Sequence, residues 1–413
     1  MSRSSLALSN LRAVVIVIVL AFHSILAYLH SLPAEPFAFD AAPYRWQAIP
    51  IVDSERFFGF DLFCAWQDVS LMSLMFFLSG LFVPSSLRRK GSWTYLSDRL
   101  LRIGLPMILV IAILMPITYY PTYAVTAADP SVSAYWQHWL ALPFWPSGPQ
   151  WFLWQLLALS VAAAGLHHFA PVWSERLGRL AASSREHPVR FFVGLVAAST
   201  LVYVPMAVIY SPWLWEHIGP LSFQYCRPLH YLVYFAAGYA LGVHGLDRSL
   251  LAADGPLARQ WALWVAASIG GFILWAAPTS LTINGASASL SVQIASALGF
   301  TVACASGSFA LLAACLRFAV ERRQVLDSLS ANAYSIYLVH YAFIVWLQYA
   351  LLGVALFAVA KAAIVFGGTL VLSWAVAVGF GSVSPGALFA PVKRWLSVGV
   401  MDPAPAKLLK QDD

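Results

Sequence analysis

Apolar residues in this chain do not alternate with polar ones at a strand or amphipathic-helix period; they come in long, nearly uncharged runs separated by short polar or basic stretches. A helix that is apolar all round must be buried or bathed in lipid, and roughly 20 such residues cross a bilayer. Runs of that kind occupy 11–32, 66–83, 103–120, 150–168, 189–210, 227–245, 259–278, 291–316, 331–350 and 361–380. They predict an all-α polytopic membrane bundle of about ten transmembrane helices. The run from Leu11 to Leu32 is too long for a signal-peptide core and no small-residue cleavage site follows it, so it is expected to remain as the first helix.

Composition and charge agree with that pattern and orient it. Hydrophobic residues make up 60% of the chain and charged ones 10%, whereas a soluble domain is about a quarter charged. Of the 24 Lys and Arg, 20 fall in alternate connections that share a side with the N-terminus. Only Arg45, Arg56, Arg227 and Lys361 fall on the other side. Cytoplasmic loops collect basic residues, so both termini are expected in the cytoplasm and the net charge of +6 is a topology signal, with nothing in it that calls for nucleic acid. No linker, low-complexity tract or internal repeat divides the chain, which reads as a membrane domain over 1–380 and a short cytoplasmic tail over 381–413. Four cysteines are present; Cys64 and Cys226 sit near outer helix ends, and unpaired thiols are the simpler reading.

Candidate chemistry begins on the first helix. Arg12 and His23 are eleven residues apart, about 16 Å along a helix and on one face of it. An ionisable group near the middle of a span is costly and marks function by default; the bland alternative for His23 is a neutral imidazole bonded to a neighbouring helix. Arg99 and Arg102, three apart, share a face after the basic turn Arg88-Arg89-Lys90 and could grip one polyanion, or serve only as topological anchors. The small Ser79-Gly80 step fits close helix packing. Asp68 reads as opening the second helix from outside, placed to orient a histidine or bind a sugar hydroxyl. His340 and His230 are further intramembrane histidines, and Trp151 belongs to an outer group with Trp136, Trp139, Trp145 and Trp154 that suits either sugar stacking or an interfacial belt. No metal-ligand spacing, nucleotide-binding glycine pattern or nucleophile elbow is present.

Six segments, in order, carry a family likeness: "NLRAVVIVIVLAFHS" with Arg12 and His23, "FFLSGLF", "YLSDRLLRIGLP" with Arg99 and Arg102, "GPQWFLWQLL", "PLHYLVYFAAGYALG" and "LSANAYSIYLVHY" with His340. Over roughly residues 5 to 380 the chain resembles the membrane acyltransferase family 3, most of all the branch of glucan-succinylating C proteins of periplasmic glucan synthesis. The resemblance implies an inner-membrane O-acyltransferase. It would move an acetyl or succinyl group from cytoplasmic acyl-coenzyme A, its donor substrate, to a hydroxyl of a carbohydrate or lipid-linked glycan at the outer face.

That chemistry suits the residues. Arg12, Arg99 and Arg102 would hold the phosphates of the coenzyme A head. His23, with an ordinary pKa near 6.5, would be the base, with Arg12 aligning the donor. Asp68, His340 and Trp151 would contact the acceptor. A secondary transporter, or a non-catalytic sensor or assembly subunit, is the rival reading, though the paired broken helices of transporters are missing.

Overall fold

The apolar runs fold as helices whose ends fall where polar groups find partners. A computed structural model describes residues 2–282 and 288–381. Its helices are α1 (Arg3–Ile25), α2 (Phe58–Leu81), α3 (Val83–Lys90), α4 (Ser92–Arg99), α5 (Leu105–Leu109), α6 (Met115–Thr126), α7 (Val132–Ala141), α8 (Trp151–Phe169), α9 (Pro171–Leu180), α10 (Pro188–Tyr210), α11 (Pro228–His244), α12 (Pro256–Arg259), α13 (Trp261–Ser280), α14 (Leu290–Phe318), α15 (Gln324–Ala350) and α16 (Ala358–Gly381). A two-stranded antiparallel hairpin, β1 (Trp215–Ile218) and β2 (Leu221–Gln224), precedes α11. Lys393, Arg394, Lys407 and Lys410 of the expected tail lie outside the described residues.

Among the described residues, 8 helical stretches are long and apolar enough to cross a membrane: Arg3–Tyr28, Phe58–Lys90, Ser92–Thr126, Gly148–Phe169, Pro188–Tyr210, Trp261–Ser280, Leu290–Phe318 and Ala358–Gly379. The two remaining apolar runs are helical as well. However, α11 is only 17 residues long, and the first half of α15 carries Asp327, Ser328, Ser330, Asn332 and Ser335. The most buried stretches are those of α14 at 72%, α2 at 67% and α1 at 61%, against 17% for α13 and 22% for α10, so the first three form the centre. The outer helices turn residues such as Leu201, Ile269 and Ile273 outward, as lipid-facing helices do.

Backbones approach most closely between α2 and α11. A Cβ on Gly238 would lie 2.0 Å from the Phe77 carbonyl oxygen, one on Gly242 2.1 Å from that of Leu81, and one on Gly80 2.1 Å from that of Phe235. Glycine is required at all three, and the Ser79-Gly80 step is thereby a packing device. The third crossing is irregular. Two wide turns, Leu100–Gly104 and Val110–Leu114, each stand just before a proline, Pro106 and Pro116. Each ring would clash with the carbonyl four residues back inside the widened segment, and the wider turn relieves it.

Connections gather at two ends. At one, Asn10 donates to the carbonyls of Ala319 (2.7 Å) and Glu321 (3.0 Å), Ser4 Oγ accepts from the Ala253 N–H (3.1 Å), and Arg185 pairs with Asp254 (3.1 Å). At the other, residues 29–57, 127–150 and 211–227 knit into a cap. Tyr119 donates to the Gln47 carbonyl (2.7 Å), Trp145 N–H to that of Gly219 (3.0 Å), and Phe39 stacks on the buried Trp46 (4.6 Å). The cap is tied to α16 by Lys361, whose ammonium meets both oxygens of Asp53 at 2.8 and 3.0 Å, with 1% and 2% of the two side chains exposed.

His217 joins the cap's strands to its loops. Its Nε2 accepts from Gln47 (3.4 Å), so its Nδ1 donates to Ser222 Oγ (2.9 Å). Burial lowers its pKa, against a smaller opposing pull from Glu216. The unfolded chain therefore takes up a proton near pH 6.5 before the folded cap does. Stability should be intact above that pH and be lost as pH falls through the folded value. The melting temperature of the detergent-purified protein should fall between about pH 7.5 and about pH 5.5, and fall less in His217→Asn.

Candidate active site

Helices α1 and α15 run in the same direction, because Ser9 Oγ meets Ser330 Oγ at 2.9 Å at one level and His23 meets His340 farther along both. The two imidazoles lie 5.3 Å apart between ring centres, with Tyr341 edge-on to His23 at 5.2 Å and Phe22 at 4.9 Å. His23 occupies the last turn of α1, five residues from the end of its span at Tyr28, and not the middle of the helix. The cap folds over that end, since Gln47 also accepts at its carbonyl from Tyr341 (3.0 Å). Gln348 fixes the end of α1 by donating to the carbonyls of His23 (3.2 Å) and Ser24 (3.3 Å).

The hydrogen-bond pattern sets one imidazole's tautomer. His340 Nδ1 lies 2.7 Å from the Tyr337 carbonyl, which can only accept, so the proton is on Nδ1 and Nε2 presents a lone pair. His340 is fully buried and that Nε2 has no partner among the described residues; nor does His23 Nδ1. Among the described residues, no carboxylate is bonded to either ring. The turn 148–150 at the start of α8 packs beside the pair: Tyr337 donates its hydroxyl to Pro149, and Gly148, at φ +51, lies where a Cβ would be 3.3 Å from the Tyr341 ring.

The arginines stand at the other end of α15. Arg12 is three residues beyond Ser9, whose partner is Ser330, and Ile103, next to Arg102, accepts from Tyr334 (3.4 Å). Ser330 and Tyr334 are about 6 Å apart along the axis, and Tyr334 is about 9 Å short of His340. Arg12 and Arg102 are exposed, and Arg99 lies over the Tyr95 ring at 5.2 Å. The expectation that Arg99 and Arg102 share an α-helical face needs correction, because Arg102 falls within the widened Leu100–Gly104 turn and is displaced around the axis relative to Arg99.

Asp68 belongs elsewhere. It lies ten residues into α2, which begins at Phe58, so it does not open that helix. Among the described residues it orients no histidine: its carboxylate pairs with Arg227 at 2.8 Å, and that guanidinium, 5% exposed, lies over Phe300 at 4.4 Å. Beneath it His230, fully buried, meets Ser73 Oγ (3.1 Å) and Cys304 Sγ (3.4 Å) through Nε2, while its Nδ1 has no partner among the described residues. Trp151 stacks on Tyr231 (6.1 Å) and meets Trp215 edge-on (5.7 Å), between this group and the 148–150 turn. Cys64 and Cys226 are unpaired, as are Cys304 and Cys315.

The comparison with known families covers the segments that carry the histidine pair. Residues 5–378 match the model of an acyltransferase domain. The chain belongs to the acyltransferase-3 family. The match spans α1 through α16, so one acyltransferase domain contains both the histidine pair and the arginine end. No curated protein and no solved structure matches the chain. An acyltransferase of membrane-spanning character is thereby established, and the residues that reading the sequence alone passes over are those around the pair: Tyr337, Tyr341, Gln348 and Gln47, which hold the elements that carry it, and Gln150 in the turn beside it. Three of them lie inside the segments "LSANAYSIYLVHY" and "GPQWFLWQLL", at helical spacing from His340 or in the turn beside it.

Proposed function

We propose that this acyltransferase is an O-acyltransferase of the bacterial inner membrane, crossing it ten times with both termini in the cytoplasm, that carries an acetyl or succinyl group from cytoplasmic acyl-coenzyme A to a hydroxyl of a carbohydrate or lipid-linked glycan at the outer face. The observation that carries the reading is the histidine pair lying about 9–16 Å, along parallel α1 and α15, from the level of Arg12 and Arg102. Coenzyme A combines a polyanionic head with a long neutral arm. Arg12, Arg99 and Arg102 hold the head, and the arm runs along α15 toward the pair. The grouping of the connections at two ends, with the N-terminus beside 253, 319 and 321, supports the even number of crossings.

In this reading His23 removes the proton of the acceptor hydroxyl as its oxygen attacks the thioester carbonyl, and the proton then passes to the departing coenzyme A thiolate. His340, whose Nε2 can only accept, takes a hydrogen bond from a neighbouring hydroxyl of the acceptor and so positions the one that reacts. Trp151 and Asp68, near the cap, contact the rest of the acceptor.

Replacing both Arg99 and Arg102 by alanine tests the donor half. Expression and orientation should persist while acyl-coenzyme A binding, measured by calorimetry in detergent, weakens at least about tenfold. Unchanged donor affinity in the folded double variant would reduce both arginines to topological anchors.

A further inference from the structure

Gln150 is fully buried, and neither the nitrogen nor the oxygen of its side-chain amide has a hydrogen-bond partner among the described residues. Buried amides are ordinarily satisfied, and one left with both ends open asks what satisfies it in the working protein. The surrounding polar groups are already committed. Tyr337 donates to the Pro149 carbonyl, Tyr119 and Tyr341 both donate to the Gln47 carbonyl, Ser147 Oγ bonds Ser222 Oγ (3.3 Å), and His340 Nδ1 donates to the Tyr337 carbonyl. The Gln150 backbone N–H is held by the Ser147 carbonyl at 3.0 Å. Open hydrogen-bonding capacity in this neighbourhood therefore includes the Gln150 amide, His340 Nε2 and His23 Nδ1.

The turn that carries Gln150 is seated on one turn of α15. Its Pro149 end is bonded to Tyr337 and its Gly148 end packs on Tyr341, so the turn brackets His340 between them. A primary amide with a free donor and a free acceptor is the complement of a secondary amide, which offers one C=O and one N–H. We infer that Gln150 is a specificity-determining residue that pairs with a secondary amide of a bound substrate, supplied by the pantetheine arm of the acyl donor, and so sets the thioester beside the histidine pair. This rests on the acyl-coenzyme A reading above. An N-acetyl group on a sugar acceptor has the same chemistry; the donor is favoured because the arm's amide next to the sulfur stays close to the thioester wherever that group reacts.

Steady-state transfer by the purified full-length protein separates these sources. The donors are acyl-coenzyme A, the acyl thioester of N-acetylcysteamine, which keeps one amide, and the acyl thioester of 2-mercaptoethanol, which has none. Each is tried with sugar acceptors bearing or lacking an N-acetyl group. Gln150→Leu should lower kcat/KM at least about tenfold for the two amide-bearing donors, and leave the amide-free donor where wild type has it. Desulfo-pantetheine should compete with acyl-coenzyme A in wild type and lose that competition in the variant, which gives a readout independent of turnover with poor donors. Gln150→Met serves where leucine lowers folded yield. A loss that follows the acceptor's N-acetyl group would overturn the donor assignment, and an equal loss, or no loss, across all pairs would make Gln150 structural. Wild-type protein that uses no thioester at all would instead overturn the function on which the inference rests.

Discussion

Replacing His23 with alanine is expected to leave a protein that inserts, folds and binds acyl-coenzyme A, yet transfers acyl groups at least about a hundredfold more slowly, since a positioned base contributes about 10²–10⁴ in rate. The imidazole lies 5.3 Å from His340, its Nδ1 is open, and the α1 end that carries it is held independently by Gln348 through backbone carbonyls that alanine retains. Removal should therefore cost chemistry more than structure. Parallel measurement of His340→Ala assigns the roles. The His340 variant should raise the acceptor KM more than it lowers kcat. If instead His23→Ala keeps most of its turnover while His340→Ala loses it, His340 is the base.

The second large effect concerns stability. Asp53 and Lys361 are paired at 2.8 Å with almost no exposure, and they join the cap to α16. Removing one partner of such a pair leaves a buried charge unanswered and costs about 3–5 kcal/mol. Lys361→Met should lower the melting temperature sharply, and adding Asp53→Asn should recover much of the loss because the orphaned carboxylate is then neutral. A single variant that melts like wild type would show that water reaches Asp53.

The sequence made the helices legible where lipid or the bundle interior dictates an apolar surface, and obscured them where tertiary partners allow polar residues. The second helix starts at Phe58, eight residues earlier than its apolar run, because its first turns include Asp61, whose carboxylate accepts the backbone N–H groups of His30 (2.7 Å) and Ser31 (3.0 Å). Likewise α15 starts at Gln324, with Asn332 bonded back to the Ser328 carbonyl (2.9 Å) and Ser330 to Ser9. The hairpin at 215–224 and the short helices α3 and α4 lie between apolar runs, where periodicity over so few residues is weak.

The site was legible in part for the same reason. His23 stood out because an ionisable group in an apolar run is costly, and His340 because it shares that setting. Their adjacency was not legible, since it depends on α1 and α15 packing in parallel across more than three hundred residues of chain. The pairing of Asp68 with Arg227 is hidden for the same lack of tertiary information, since 159 residues separate them. Gln150 was hidden by its chemistry: a glutamine beside three tryptophan-rich positions carries no charge to mark it.

The most direct measurement is acyl transfer itself, with wild-type protein purified, reconstituted in lipid and supplied with acetyl- or succinyl-coenzyme A and a glucan acceptor. Release of the coenzyme A thiol should match, mole for mole, the ester formed on an acceptor hydroxyl, and both should disappear together in His23→Ala. Folded wild-type protein that binds acyl-coenzyme A but esterifies no hydroxyl, or that forms ester undiminished in His23→Ala, would contradict a histidine-centred O-acyltransferase.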